Sequence, residues 1–324
     1  MNVLVTGANG LLATNTIVAL LSRGYSVRGL IRDKKKFLLP PHSRLELVLG
    51  DITDKTSLDR AVTGIDYVIH CAATTDQHLL RYDDYHQINV AGTENVIQAA
   101  LKHHVKKVVY VSTANTFGYG TLQQPGDERT PMREPFKSAW YAKSKLEGEK
   151  RILGAKDRIE VTVVNPTFML GAHDGKPSSG TIIRMGYGKR LIFHPPGGKN
   201  FVNAADAANG VVYALEQGKN GESYLLAGEN LSYRDFFTKL ARQTNSRPIL
   251  VALPKPVLLA LGYIGNLARA VGIRTALSSN NMKILCVKNY YSNHKARSEL
   301  GLTFHPVEIG IDHAVAWFKE HGML

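Results

Sequence analysis

The sequence is poor in cysteine and tryptophan and has no long apolar run. Only two of its 324 residues are cysteine, Cys71 and Cys286, so we expect no disulfide framework and a reducing, cytoplasmic location. No apolar segment approaches the roughly 20 residues that a membrane-spanning helix needs. The N-terminal apolar run has no basic leader and is broken by glycine, unlike a signal peptide. We therefore expect no membrane span.

Acidic residues are outnumbered by basic ones. The chain has 27 Asp and Glu against 40 Lys and Arg, which gives a formal net charge of +13. A basic chain can bind nucleic acid, an anionic membrane surface or an anionic small molecule. The basic residues are scattered apart from the run 34–36, and no nucleic-acid motif is present, so a solvated basic surface and no nucleic-acid partner are predicted. His70 and Cys71 have no second pair at ligand spacing, so no metal site is predicted.

The first thirteen residues have the pattern of a strand, a glycine turn and a helix. The β-branched run 3–5 stops at Gly7, and Gly7, Gly10 and Ala13 have the spacing G-x-x-G-x-x-A. A turn without side chains lets backbone N–H groups approach a diphosphate, and the dipole of the following helix adds to the binding. Alone, such a triplet can also serve packing only. The candidate cofactor residues here are Thr6, Gly7, Asn9, Gly10, Leu11 and Leu12.

The end of the second predicted strand bears on the choice of dinucleotide. An acidic residue there accepts hydrogen bonds from the ribose 2′-OH of NAD, whereas an arginine pairs with the 2′-phosphate of NADP. Arg32 occupies this position and favours NADP, with Lys36 nearby, but Asp33 follows directly and keeps NAD open. After the third strand, Asp51 is expected to meet the adenine and Ile52 to pack on its ring. Small residues after the fourth strand, Ala72 and Ala73, would let a cofactor lie flat.

Strands and helices alternate up to about residue 165, which predicts an α/β fold with a Rossmann-type, doubly wound parallel sheet. Ligands in such sheets bind beyond the carboxyl ends of the strands. We expect residues 1–165 to form the dinucleotide-binding domain, with the segment 200–216 returning to it. Residues 166–324 are then mostly a smaller substrate-binding and lid region.

A candidate for proton transfer follows the fifth strand. Tyr141 and Lys145 are four residues apart, so on a helix they share one face. An ammonium beside a phenol favours the phenolate and lowers its pKa toward the working range. A hydroxyl at the fifth strand end, Thr113 or the adjacent Ser112, could hold a carbonyl oxygen beside the phenol. The pair alone is common by chance, whereas the pair with the glycine loop and the hydroxyl is much more specific.

With these features the chain resembles the extended short-chain dehydrogenase/reductases, over nearly its whole length. The segments that carry the resemblance are 6–10, Asp51, Asn89 with 92–95, 112–113, Tyr141 with Lys145, Asn165-Pro166 and 200–206. Segments 27–33 and 291–296 are similar to dihydroflavonol-reductase-like and 3β-hydroxysteroid-dehydrogenase-like members, and nucleotide-sugar epimerases share most of the motifs.

The resemblance implies a mechanism and further site residues. Tyr141 would exchange a proton with a carbonyl or alcohol, Lys145 would bind the nicotinamide ribose and lower the pKa of Tyr141, and Thr113 would bind the substrate oxygen. The chain departs from the family pattern at two positions: Ala13 stands in place of the third glycine, and Thr113 stands in place of the usual serine. A homodimer is also implied. The additional cofactor candidates are Asn89, Asn165, Pro166 and Thr167.

The C-terminal half is less informative. Its glycine- and proline-rich tract 173–200 is expected to be mainly loop and to cover the substrate, and Ser232 is predicted to cap a helix. The apolar helix predicted at 255–273 can be a lid or ordinary packing, which we favour, a dimer surface or a membrane-surface helix. The substrate candidates are Thr74, Asn115, Phe168, Arg184 and His194.

Taken together, these features predict an NADP-preferring oxidoreductase that reduces a ketone or aldehyde, with NAD as the other possible cofactor. A nucleotide-sugar epimerase or dehydratase that holds NAD(P) tightly is the alternative enzyme. An NADP-binding regulatory protein without turnover is the alternative of another class.

Overall fold

The predicted alternation of strands and helices is present in the computed structural model, which describes residues 1–324. The strands are β1 Asn2–Thr6, β2 Ser26–Ile31, β3 Leu45–Leu49, β4 Tyr67–His70, β5 Lys107–Val111, β6 Glu160–Pro166, β7 Phe168–Leu170, β8 Leu191–His194, β9 Gly198–Asn203, β10 Ser223–Leu226, β11 Glu229–Ser232, β12 Ile249–Ala252 and β13 Lys288–Asn289. The helices are α1 Leu11–Ser22, α2 Lys55–Val62, α3 Tyr82–His86, α4 Gly92–Lys102, α5 Trp140–Leu153, α6 Thr181–Gly186, α7 Ala204–Gln217, α8 Tyr233–Gln243, α9 Lys255–Ala270, α10 Ser279–Cys286, α11 His294–Leu300 and α12 Val307–Glu320.

Seven strands form one central sheet in the order β10-β6-β5-β4-β1-β2-β3, and every neighbouring pair is parallel. The chain builds from β1 outward to β3, then crosses back and builds from β4 in the other direction. The carboxyl ends of β1 and β4 therefore flank the crevice where ligands bind in doubly wound sheets. This arrangement confirms the predicted fold class.

Two apolar clusters cover the faces of the sheet. On one face α1 packs with α7, and Ile17 and Leu20 of α1 are fully buried beside Val211 of α7. On the other face α2, α4 and α5 bury Leu58, Val96 and similar residues. Burying each such side chain stabilises the fold by about 1.5–3 kcal/mol. The residues at the carboxyl ends of the strands are consequently held by a well-packed core.

The C-terminal half differs from the expected pattern in two places. The tract 173–200 contains the short helix α6 and the strand β8, which pairs with β12, and Gly198 already begins β9. Strand β10 adds a seventh strand to the central sheet by pairing with β6. Strands β8 and β10 pair with strands that are distant in sequence, β12 and β6, so the local sequence pattern did not indicate them.

Two local predictions in this half are confirmed. Ser232 accepts from the Asp235 amide as the N-cap of α8, in a reciprocal capping box. The apolar segment at 255 forms the helix α9. A third cluster, built on Phe201, Phe236 and Phe318, holds β9, α8 and α12 together. None of the helices combines the length and apolar character needed to cross a membrane.

Candidate active site

The turn between β1 and α1 exposes its backbone at the crevice, because its glycines carry no side chains. Gly7 has a left-handed φ of +65°, and a Cβ there would lie 2.8 Å from the Cα of Ala72. Gly10 is the N-cap of α1 and brings no side chain, and no acidic residue stands in the first turn. The first amides of a helix have no intrahelical acceptor, and here the side chains of Leu11 and Leu12 point into the core. The loop therefore presents backbone N–H groups to an anion, which suits a diphosphate.

The end of β4 is held by a buried hydrogen-bond chain. The Thr6 hydroxyl accepts from the Ala72 amide at 3.1 Å and lies 2.8 Å from Nδ1 of His70, whose Nε2 lies 3.1 Å from the Thr93 hydroxyl. Burial lowers the pKa of His70 to about 3, so the ring is neutral. Thr6 and His70 thus join β1 to β4, and Ala72 and Ala73 follow as small residues beside Gly7. No group of three or more His, Cys, Asp or Glu side chains is arranged to hold a metal ion.

Asn89 fixes the loop that follows these alanines. Its amide donates to the Thr74 carbonyl at 3.1 Å and to the Ser144 hydroxyl at 2.9 Å, while its side-chain oxygen accepts from the Thr74 amide at 2.8 Å. The side chain is fully buried. Asn89 and Thr74, one a cofactor candidate and one a substrate candidate, are therefore bound to each other, and Asn89 acts on the site through the position of this backbone.

The predicted adenosine end carries mixed charges. The Arg32 guanidinium is 74% exposed and lies 3.8 Å from the Asp51 carboxylate. Asp33 caps the helical turn 34–36 by accepting from the Lys35 amide, and it pairs with Lys36 at 3.2 Å, contacts that lower the pKa of Asp33. Arg32 is thus largely exposed and contacts Asp51 at long range, while Asp33 is held by a closer ion pair and a backbone amide.

Asp51 and Ile52 lie beside this end of the sheet. One oxygen of Asp51 accepts from the amide and the hydroxyl of Thr53. The Ile52 side chain is buried against Gly92 of α4, where a Cβ would come within 2.6 Å of it. Helix α4 crosses closely at this point and packs against the Ile52 side chain, and a contact of Ile52 with the adenine stays a prediction.

The Tyr141 and Lys145 side chains lie on one face of α5 at the end of β5. The Lys145 ammonium donates to the Val111 carbonyl at 2.8 Å and lies 4.1 Å from the centre of the Tyr110 ring. Burial lowers the pKa of Lys145 to about 7, and the Glu149 carboxylate opposes this shift. The carbonyl of β5 thus holds the ammonium in place at the strand end.

The pKa of Tyr141 departs from the expected direction. Burial raises it to about 12, and the adjacent Thr113 hydroxyl opposes this shift. We expected Lys145 to lower this pKa, but the ammonium is bound by the Val111 carbonyl and is itself weakened by burial, so desolvation of the phenolate dominates. The phenol is therefore protonated at neutral pH.

The two neighbouring hydroxyls have separate roles in the structure. Ser112 is buried and donates to the Glu149 carboxylate at 2.7 Å. Thr113 is the hydroxyl beside Tyr141, and it also accepts from the Asn115 amide at 3.4 Å in the turn that follows. Of the two, Thr113 has the geometry to meet a substrate oxygen.

Asn165 and Glu149 complete the buried support of this strand end. The Asn165 amide donates to the Thr113 carbonyl at 3.2 Å and to the Glu149 carboxylate at 3.1 Å. Thr116 donates to the same carboxylate. The Asn165 side-chain oxygen is buried and makes no hydrogen bond within the chain.

Beyond β6 the chain turns toward the second small sheet. Pro166 ends β6 beside Leu226 of β10, and the Thr167 hydroxyl donates to Asn200 of β9 at 2.7 Å. Phe168 meets Phe201 edge-on at 5.5 Å between ring centres. The Lys199 ammonium lies 5.2 Å from the centre of the Phe168 ring and makes no ion pair, and burial lowers its pKa to about 8.

Two of the substrate candidates lie in the C-terminal elements. Arg184 is exposed on α6, a helix that packs against α8 through Gly186 and Leu240. His194 ends β8, is buried, and its Nδ1 lies 3.0 Å from the Pro195 carbonyl. Neither contacts Tyr141 or its neighbours directly.

Comparison with known proteins identifies the family. A model of the NAD dependent epimerase/dehydratase family matches residues 3–227, more than half of the chain. The chain belongs to the NAD-dependent epimerase/dehydratase family. It is an NAD(P)-dependent enzyme of the extended short-chain dehydrogenase/reductase type, and its cofactor is a nicotinamide dinucleotide. The glycine loop described above fits such a cofactor.

The relatives that this chain resembles include a sterol demethylase protein, dehydrogenases and reductases. Sterol demethylase protein B of Methylococcus capsulatus is 29% identical over 100% of both chains. Sterol-4-alpha-carboxylate 3-dehydrogenase, decarboxylating, of Dictyostelium discoideum is 28% identical over 93% of this chain and 96% of its own. The crystal structure of gox2253 is 30% identical, with a TM-score of 0.85 over 99% of each chain.

The structure adds two residues that the sequence reasoning missed. Glu149 is four residues after Lys145 and eight after Tyr141, so the helical spacing alone could have placed it on the same face. Lys199 gave no such signal, because its position beside Phe168 arises from the pairing of β9 with β7.

Proposed function

We propose that the protein is an NADPH-dependent reductase of a ketone or aldehyde on an apolar organic molecule. The observation that carries this proposal is the protonated Tyr141 phenol beside the Thr113 hydroxyl, with Lys145 on the same helix face. A carbonyl oxygen bound there would accept hydrogen bonds from both hydroxyls. These donors would stabilise the charge that develops on that oxygen in the transition state.

The chain's own groups also support the preference for NADPH. The backbone N–H groups after Gly7 and Gly10 would hold the diphosphate, and Arg32 would pair with a 2′-phosphate. Asp33, which an NAD enzyme would use for the ribose 2′-OH, is bound as a cap and by Lys36. Asn165, Pro166 and Thr167 would line the rest of this binding site, and Asn89 would act on it by holding the Thr74 backbone. When bound, the cofactor supplies the hydride.

The protonation state of Tyr141 is consistent with a role as proton donor. A phenol whose pKa is raised to about 12 is protonated at pH 7 and can donate to an oxyanion. At pH 7 only a very small fraction of this phenol is ionised, so little phenolate is present to act as a base for alcohol oxidation. Tyr141 is therefore in the protonation state of a proton donor to a carbonyl, with Lys145 positioned to bind the nicotinamide ribose.

A nucleotide-sugar epimerase or dehydratase is the second candidate. Lys199 favours it, because an unpaired ammonium near the substrate end would suit the diphosphate of such a substrate. A regulatory NADP-binding protein is the third candidate. The presence of Thr113, Tyr141 and Lys145 together argues against it, because a protein that only binds NADP does not need all three residues.

The test compares net cofactor consumption with and without the phenol. We expect the purified protein to oxidise NADPH in the presence of apolar ketones, and Tyr141→Phe to lower kcat by about 10²–10⁴-fold with little change in NADPH binding. Tyr25→Phe, which removes an exposed hydroxyl bound to Glu216, is the matched control and should retain activity.

Two other results would replace the proposal. Interconversion of UDP- or GDP-sugars without net NADPH loss would favour the epimerase. Binding of NADPH with no turnover of any substrate, unchanged in Tyr141→Phe, would favour the regulatory protein.

A further inference from the structure

Helix α9 and the turn after it expose a continuous apolar surface. Its side chains are between 39% and 76% exposed, although all are large and apolar. On a helix with 3.6 residues per turn those of α9 fall on one side, and the turn extends the same surface. We call this surface the apolar face, and its residues are Val257, Leu261, Tyr263, Ile264, Leu267, Val271 and Ile273.

The other side of α9 is firmly packed. Leu258, Gly262 and Gly265 are buried, and a Cβ on Gly262 would lie 2.7 Å from the Cα of Ser279 in α10. The two helices are therefore in close backbone contact and hold the apolar face outward. Exposed apolar patches of this extent are characteristic of docking surfaces.

The segment that bears the apolar face contains charge of one sign only. Between residues 236 and 298 the sequence contains no Asp or Glu, although the chain as a whole has 27 acidic residues in 324. Two of its cations are neutralised by carboxylates of other elements, Lys239 by Glu229 and Glu308 and Lys295 by Glu222. The other basic residues of the segment are Arg242, Arg247, Lys255, Arg269, Arg274, Lys283, Lys288 and Arg297. The segment that bears the apolar face is thus complementary in charge to an anionic surface.

Helix α9, which bears the apolar face, contacts the segment after β4 and the start of α5. The Arg269 guanidinium of α9 donates to the carbonyls of Gln77 and Leu79, in the segment after β4, and lies 5.8 Å from the Trp140 ring centre. Trp140 precedes Tyr141 on α5 and is partly exposed. A surface bound by α9 would therefore lie next to Trp140, the residue before Tyr141.

We propose that the apolar face docks on the surface of an anionic phospholipid bilayer, from which the substrate reaches the site. Large apolar side chains flanked by Lys and Arg are the pattern of helices that lie in the headgroup region. A second copy of the chain suits the face less well, because a symmetric contact would bring the carboxylate-free segments of both copies together. Delivery of substrate rests on the proposed reduction of an apolar carbonyl compound, whereas docking itself does not.

The experiment measures binding to vesicles by co-sedimentation. We expect the protein to bind vesicles of phosphatidylcholine mixed with phosphatidylglycerol and to bind pure phosphatidylcholine much more weakly. Leu267→Asp/Val271→Asp should lower the partition coefficient by at least about tenfold, because it places charge where apolar burial is needed. The matched control, Val18→Asp/Leu122→Asp, makes the same two changes at exposed residues outside the face and should bind as the wild type does.

The outcomes separate docking from catalysis. Equal binding by both double variants, or no binding by the wild type, would overturn the docking proposal, even if NADPH is oxidised with a water-soluble ketone. A wild-type dimer that the face variant converts to a monomer would also overturn it in favour of a second copy. Vesicle binding without any ketone reduction would retain docking and reject the proposed reductase. If the Asp variant does not fold, Leu267→Ser/Val271→Ser gives the same test.

Discussion

Replacing Gly7 by alanine tests the phosphate loop most directly, because the position carries two separate constraints. Its φ of +65° is in the left-handed region, where a residue with a Cβ is disfavoured by about 1–2 kcal/mol. In addition, the Cβ would lie 2.8 Å from the Cα and 3.0 Å from the N of Ala72. Backbone atoms cannot rotate away, so the two strand ends must separate.

A matched glycine separates the two effects. Gly64 has a φ of +74°, and a Cβ there would meet nothing within 4 Å. Gly64→Ala should therefore destabilise the protein by the backbone term alone, about 1–2 kcal/mol. Gly7→Ala should add the cost of overlap, about 1–3 kcal/mol, and should displace Ala72 at the crevice.

The assays are chemical denaturation and NADPH titration by fluorescence. We expect both variants to lose stability, Gly7→Ala by the larger amount. Only Gly7→Ala should weaken NADPH binding, by about tenfold or more, which corresponds to about 1.4 kcal/mol or more. The reasoning would be refuted if Gly7→Ala bound NADPH as tightly as the wild type, or if Gly64→Ala weakened binding equally.

Three further changes test other parts of the site. Arg32→Ala should raise the Kd for NADPH about tenfold or more and leave that for NADH nearly unchanged, as measured by titration, since the guanidinium would meet only the 2′-phosphate; equal changes would contradict this role. Glu149→Gln removes the anion that raises the pKa of Lys145. The loss of kcat on the alkaline side should therefore begin at lower pH than in the wild type. An unshifted pH profile of kcat would count against this role of Glu149. Burial lowers the pKa of His70 to about 3. As the pH falls below about 6.5, the unfolded chain therefore takes up a proton at His70 that the folded protein does not. The free energy of unfolding should then fall by up to about 1.4 kcal/mol per pH unit. Denaturation at pH 7 and pH 5 should show a smaller difference in His70→Gln than in the wild type, and an equal difference would argue against this assignment.

The sequence by itself determined the architecture of the first half of the chain. The strand–turn–helix at Gly7 and the alternation that follows are local patterns, and the helical spacing of Tyr141 and Lys145 is local too. Such patterns depend on hydrogen bonds and side-chain periods within a few residues, so they survive without knowledge of the partner elements. The cap at Ser232 belongs to the same class.

Only the tertiary structure decided how these residues are used. Ser112 and Thr113 differ in sequence by one position, but α5 brings Glu149 to the first and Tyr141 to the second. The pKa of Tyr141 follows burial, which no local pattern reports. Long-range pairing likewise placed β10 in the sheet and Lys199 beside Phe168. Contacts between distant segments set desolvation and hydrogen-bond partners, and these determine the chemistry of the site.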